Sequence, residues 1–278
     1  MKRILASCLL ILLPSIALAD EVPDKLMGVW ATPNCSSPQD TLVFYKGFYL
    51  WLGEEETSLT GLSLPSSQPA GWTRLEESDG YPSFFRVLSD GRLREAFLPD
   101  GADWAVGPDE NWETTDYEFC GNALPRSQAL LHGEPVALLQ VVSDAQGICQ
   151  TDRQACADQL FAGIDVSGDG NLSTAEIARL IRVAGYIATV SEETAANNDD
   201  LAGVLAAGLP LGPLLASAII NSFDYDDNNV VSLAELTQDR GTLIEQFEPN
   251  SGGELNSRLN KMKEALKPLG RMLENFGQ

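Results

Sequence analysis

Two stretches of this chain place oxygen-bearing side chains at intervals that suit a hard metal ion. In Asp165 to Glu176 (D-V-S-G-D-G-N-L-S-T-A-E) they stand at the first, third, fifth, ninth and twelfth places as Asp165, Ser167, Asp169, Ser173 and Glu176, with Gly170 at the sixth. Ca²⁺ takes about six to eight oxygen ligands, so a loop winding once around it must present oxygens at alternate residues and turn sharply where positive φ is tolerated. Gly170 supplies that turn. Three of these side chains are anionic and repel one another without a cation between them, which makes the loop poorly stable alone. Asp224 to Glu235 (D-Y-D-D-N-N-V-V-S-L-A-E) repeats the spacing with Asp224, Asp226, Asn228, Ser232 and Glu235. Asn229 takes the place of the glycine, and after glycine asparagine best tolerates left-handed geometry.

The flanks are helical in pattern. Ala157, Leu160, Phe161 and Ile164 precede the first stretch and Ile177, Leu180, Ile181 and Ala184 follow it, each set on one helix face. Ala216, Ile219, Ile220 and Phe223 enter the second in the same register. Its exit is weaker: Leu236 and Leu243 hold the register, but Asp239, Arg240 and Gly241 interrupt it. Loop and flanks together resemble the EF-hand calcium-binding superfamily. The resemblance implies side-chain ligation by Asp165, Ser167 and Asp169, a backbone carbonyl at Asn171, a water-mediated contact at Ser173 and both oxygens of Glu176. In the second loop it implies Asp224, Asp226, Asn228, the carbonyl of Val230, Ser232 and Glu235. It also implies that Leu172, at the eighth place, pairs with a sister loop.

The chain opens with Lys2 and Arg3, an apolar run from Ile4 to Leu13, and the small-residue site Ala17-Leu18-Ala19. That is the pattern of a secretory signal peptide, cleaved after Ala19, and it implies a periplasmic or secreted protein. Cleavage removes Cys8 and leaves Cys35, Cys120, Cys149 and Cys156, an even count that in an exported chain fits two disulfides. Pairing Cys35 with Cys120 and Cys149 with Cys156 keeps each bond inside one expected domain. The net charge of −22 grows more negative by two when the leader departs. Such a surface repels nucleic acid and anionic lipid and attracts divalent cations.

These loops need elements to hold them, and the rest of the chain supplies two kinds. Residues 20–125 read as a disulfide-linked antiparallel β domain, a small barrel or sandwich. Aromatic and branched runs (Thr41 to Tyr45, Phe48 to Leu52, Phe84 to Leu88, Leu93 to Leu98, Trp112 to Phe119) alternate there with Ser-Asp-Gly and Pro-Asp-Gly turns. All five tryptophans fall in this segment, as core or as a stacking platform for a ligand. Residues 126–148 read as a linker holding one short helix from Pro135 to Val142, with the only histidine, His132, in solvent. Residues 149–278 read as an all-α domain of paired hands with inserted helices. Asp165 and Asp224 stand 59 residues apart, more than a compact pair requires. A helix start at Ser191-Glu192-Glu193 and an uncharged stretch from Leu201 to Ile220 fill the interval. Glycines, prolines and acidic flanks argue against that stretch as a membrane span and place it in the helical core. An amphipathic tail runs from Glu254 to Phe276.

The expected fold is therefore α+β in two domains, and the expected function is non-enzymatic binding of two Ca²⁺ ions for sensing or stabilisation. No G-x-S-x-G or H-E-x-x-H motif occurs. The alternative is a β module that binds a glycan or peptide, with calcium only as a staple.

Overall fold

The computed structural model describes residues 22–77, 81–99, 101, 107–191 and 195–238. The leader, Trp104, Glu192 and Glu193, the exit residues Asp239, Arg240, Gly241 and Leu243, and the tail from Glu254 lie outside them. The described chain is mixed α and β, with a large antiparallel sheet in the N-terminal half and helices after it.

Eight strands follow one another: β1 (Gly28–Thr32), β2 (Asp40–Phe44), β3 (Phe48–Leu52), β4 (Glu56–Ser67), β5 (Thr73–Glu77), β6 (Pro82–Val87), β7 (Leu93–Phe97) and β8 (Glu113–Gly121). Each pairs antiparallel with its sequence neighbour, and β8 returns to pair with β1. Alternation along the strands sorts side chains to two faces. Leu42 and Phe44 of β2 turn inward with Trp30, Tyr49, Leu75, Phe85, Leu93 and Tyr117 to form one core. Val43 and Tyr45 turn outward to a second. A 3₁₀ turn, Asp24–Leu26, closes one end of the interior, and Trp30 donates its indole N–H to the Leu26 carbonyl at 2.7 Å. Trp72 and Trp112 pack with Phe84 and Ala96 in a satellite cluster, so they serve as core.

Four longer helices follow. They are α1 (Arg126–Thr151), α2 (Arg153–Ile164), α3 (Thr174–Val190) and α4 (Asn198–Phe223), with a short α5 (Leu233–Thr237). Between them lie three two-residue strands, β9 (Asn171–Leu172), β10 (Ala196–Asn197) and β11 (Val231–Ser232). The helices share the second core with the sheet: Leu139 of α1, Tyr186 and Val190 of α3 and Leu201 of α4 meet Val29, Val43, Tyr45 and Leu50. This explains why β2 and β3 are almost wholly buried. They are covered on both faces.

The segment expected to be a linker is instead α1, continuous through Pro135. Its His132 is 4 % exposed rather than solvated, and its Nδ1 lies 2.7 Å from the Tyr186 hydroxyl of α3. Burial against the sheet outweighs the helix-weakening Gly133 and Pro135, so the short helix expected from Pro135 to Val142 extends in both directions. Ser191 ends α3 where a helix start was expected, and the next helix begins at Asn198 behind Asn197. The uncharged stretch was expected in the helical core, yet α4 buries only Leu201, Gly212, Ala216, Ile220 and Phe223, while Leu209 and Leu214 are exposed. By length and composition α4 could cross a membrane. Both disulfides pair as expected, Cys35 with Cys120 and Cys149 with Cys156. The second ties the end of α1 to α2, directly before the first acidic loop.

Candidate metal centre

Helix α2 ends at Ile164, and Asp165 begins the first loop as its C-cap. The chain then turns through Gly168 (φ 71°) and Gly170 (φ 80°), where any other residue except Asn or Asp is strained. That winding aims backbone N–H groups at the first carboxylate. Asp165 Oδ1 accepts from the Gly168 amide at 2.7 Å, the Asp169 amide at 3.3 Å and the Ser167 hydroxyl at 3.0 Å, and Oδ2 accepts from the Gly170 amide at 2.7 Å. Burial pushes the Asp165 carboxyl up, but these hydrogen bonds together hold it below the usual range. Asp165 is thus ionised and already folded around.

Glu176 closes the loop from the other side. Its Oε1 accepts from the Ser167 amide at 2.9 Å, and Oε2 from the Ser173 amide at 2.8 Å and hydroxyl at 2.7 Å. Ser173 returns the contact by accepting from the Glu176 amide, which makes a capping box at the start of α3. The ninth and twelfth places therefore do double duty, ending the loop and starting the helix. Burial raises the Glu176 carboxyl and the Ser173 and Ser167 hydrogen bonds more than offset this, leaving it depressed.

The second loop is built alike. Asp224 caps α4, its Oδ1 accepting from the Asn228 amide at 3.0 Å and Oδ2 from the Asn229 amide at 2.7 Å. Asp226 Oδ1 accepts from the Asn228 amide and Asn228 Oδ1 from the Val230 amide. Glu235 reaches back to the Tyr225 amide at 2.9 Å and forms its own capping box with Ser232. Hydrogen bonds from Ser232 lead in holding its carboxyl low. Asn229 carries the left-handed turn (φ 66°) and Asp227 a second one (φ 59°) where the first loop has Gly168. Asp227 was not singled out in the sequence, because only the comparison with Gly168 marks its place.

The loops lie back to back. β9 and β11 pair antiparallel, with Leu172 opposite Val231 and Asn171 opposite Ser232. Behind this ladder Leu172, Ile177, Ala216, Ile220, Phe223, Val231 and Leu236 form a core shared by both loops and their helices. Carboxylate oxygens of Asp224, Asp226 and Glu235 all lie within 4.8 Å of one another, a donor set of hard oxygens matched to a hard divalent cation. In the first loop Ser167 stands at the third place, and Asp165, Asp169 and Glu176 form no such carboxylate trio.

No protein-family description, curated protein or solved structure matches this chain. The likeness to EF-hands rests on the loops themselves.

Proposed function

We propose that the chain is an exported, non-enzymatic calcium-binding protein in which both loops are EF-hand sites. The observation that carries this reading is the trio Asp224, Asp226 and Glu235 within 4.8 Å, in a loop paired through Val231 and Leu172 with a second loop of the same spacing. Like charges gathered so closely are relieved by a cation. In the first site Asp165, Ser167, Asp169, the Asn171 carbonyl, Ser173 and Glu176 take the ligand places; in the second Asp224, Asp226, Asn228, the Val230 carbonyl, Ser232 and Glu235 do so. Two disulfides fit an oxidising compartment, and a leader ending at Ala19 accounts for delivery there. The ring of strand pairings supports a small β barrel against which the helical half packs. Where calcium is plentiful, dissociation constants of about 10⁻⁴ to 10⁻³ M suffice, and the ions brace the fold more than they switch it.

Calorimetric titration of the mature protein with Ca²⁺ and Mg²⁺ tests the reading. Two Ca²⁺ sites are expected, with Glu176→Gln removing one and Glu235→Gln the other. A protein that takes up no Ca²⁺ at millimolar levels would refute it.

A further inference from the structure

Helix α4 is apolar over more of its surface than the rest of the fold covers. Leu201, Leu205, Gly212, Ala216, Ile220 and Phe223 turn toward the sheet, α3 and the core behind the loops. The approach to α3 is close, since a Cβ added at Gly212 would lie 3.2 Å from the Ala178 carbonyl oxygen. Ala202, Ala206, Leu209, Pro210, Pro213 and Leu214 lie on the side left open. Leu209 and Leu214 are 64 % and 68 % exposed, and no charged residue falls between Asp200 and Asp224. An uncharged apolar stripe of this length on an acidic protein marks a surface that something covers.

A bilayer fits it poorly. Both ends of α4 are tied into the protein: Asn198 accepts from Thr57 and donates to the Gly53 and Glu54 carbonyls, and Asp224 caps the helix into the second loop. Asp199, Asp200, Asp224 and Asp226 flank the stripe where a membrane anchor carries Lys or Arg. A second copy would bring the same acidic ends against these, like charge facing like charge.

The chain's own C-terminal segment has the complementary properties. Leu255, Leu259, Met262, Leu266, Leu269 and Met272 recur at intervals of three and four, the pattern of a helix with one apolar side. Residues 254–278 carry Arg258, Lys261, Lys263, Lys267 and Arg271 against three glutamates, in a chain of 18 basic and 40 acidic residues. The segment is therefore basic and the body acidic. Its dimensions match too. As a helix, residues 254–276 are about 35 Å long and the 26 residues of α4 about 39 Å. The described chain stops at Gln238, just past Leu236 of α5, which packs with Ala216, Ile220 and Phe223 of α4. From there residues 239–253 reach up to about 50 Å, enough to start the segment at either end of α4.

We propose that residues 254–276 dock in cis as an amphipathic helix along the open side of α4, covering Leu209, Pro213 and Leu214, with basic residues toward the aspartates at the ends of α4. This docking does not depend on the calcium reading.

Hydrogen–deuterium exchange of the mature, full-length protein in millimolar Ca²⁺ tests it. Amides of residues 255–273 are expected to exchange at least about tenfold more slowly than in the denatured chain. Leu209→Lys with Leu214→Lys, which charges the open side of α4, is expected to abolish that protection while α3 keeps its own. Leu259→Lys with Leu266→Lys is expected to do the same from the other partner and to raise binding of a hydrophobic dye, and it decides should the first pair disturb the core. An unprotected segment in the unsubstituted protein overturns the proposal, whatever the variants do. Protection that survives Leu209→Lys with Leu214→Lys also overturns it, by placing the segment elsewhere. A dimer in sedimentation, or flotation with phosphatidylcholine vesicles, that this pair abolishes would assign the surface to a second copy or to a membrane and overturn it equally.

Discussion

At the scale of the residue, His132 shows how far burial can override a side chain's ordinary behaviour. Enclosed between α1 and α3, it is held neutral, and desolvation lowers its pKa from 6.5 to about 4. Between those values the unfolded chain binds a proton that the folded protein refuses. Stability therefore rises with pH across this window and is lost as pH falls through it, by on the order of 3 kcal/mol once pH reaches about 4. Urea midpoints followed from pH 7 to pH 4 are expected to show this slope, and a His132→Gln variant to flatten it. The depressed carboxyls of Asp165, Glu176 and Glu235 act at lower pH. Their contribution is present above the ordinary carboxylate values and disappears only below them. The candidate metal residues were legible in the sequence because a wound loop is a local object: its spacing, its glycine and its capping serine all lie within twelve residues.

At the scale of the element, small residues set how closely the helices approach. A Cβ added at Gly163 of α2 would lie 2.1 Å from Val141 Cγ1 and 2.7 Å from Cγ2 on α1. Gly163→Ala gains about 1 kcal/mol of helix propensity, but forcing α1 and α2 apart costs about 1–3 kcal/mol, and the short Cys149–Cys156 link limits the relief. A net loss of up to about 2 kcal/mol is expected in denaturant titrations, restored in large part by adding Val141→Ala. Gly212 of α4 meets Ala178 of α3 in a similar approach. Strands β1, β4 and β5 fall outside the aromatic and branched runs, whereas β2, β3, β6, β7 and β8 were readable because those runs stop at turn residues. Helix α1 was not, although its buried residues His132, Pro135, Leu139, Ser143 and Gln146 recur at near-helical spacing. A histidine, a proline, a serine and a glutamine do not look like a core stripe until the sheet that covers them is known. The opposite held for α4, whose apolar composition promised burial that its exposed leucines do not have.

At the scale of the whole molecule, two covalent ties divide the work unequally. Cys35 and Cys120 are 85 residues apart and join the β1–β2 connection to the end of β8, whereas Cys149 and Cys156 are 7 apart. On the chain-entropy account the long loop contributes about 4.5 kcal/mol and the short one about 2.5. Replacing Cys35 and Cys120 by alanine is expected to lower the denaturant midpoint well beyond replacing Cys149 and Cys156, both measured without reductant. Hydrogen bonds also bind the halves. Asn198, the first residue of α4, accepts from Thr57 Oγ1 at 2.7 Å and donates to the Gly53 and Glu54 carbonyls, while β10 pairs with Glu56 and Thr57.

That clasp sits at a telling place. β5 pairs with β4 only from Leu62 to Ser67, and β10 pairs with Glu56 and Thr57 at the start of β4. Were α4 to let go, Glu56 and Thr57 would present bare amides and carbonyls, a template onto which a strand from another molecule can add. The helix that leads into the second acidic loop thus covers, at its other end, two residues of strand edge.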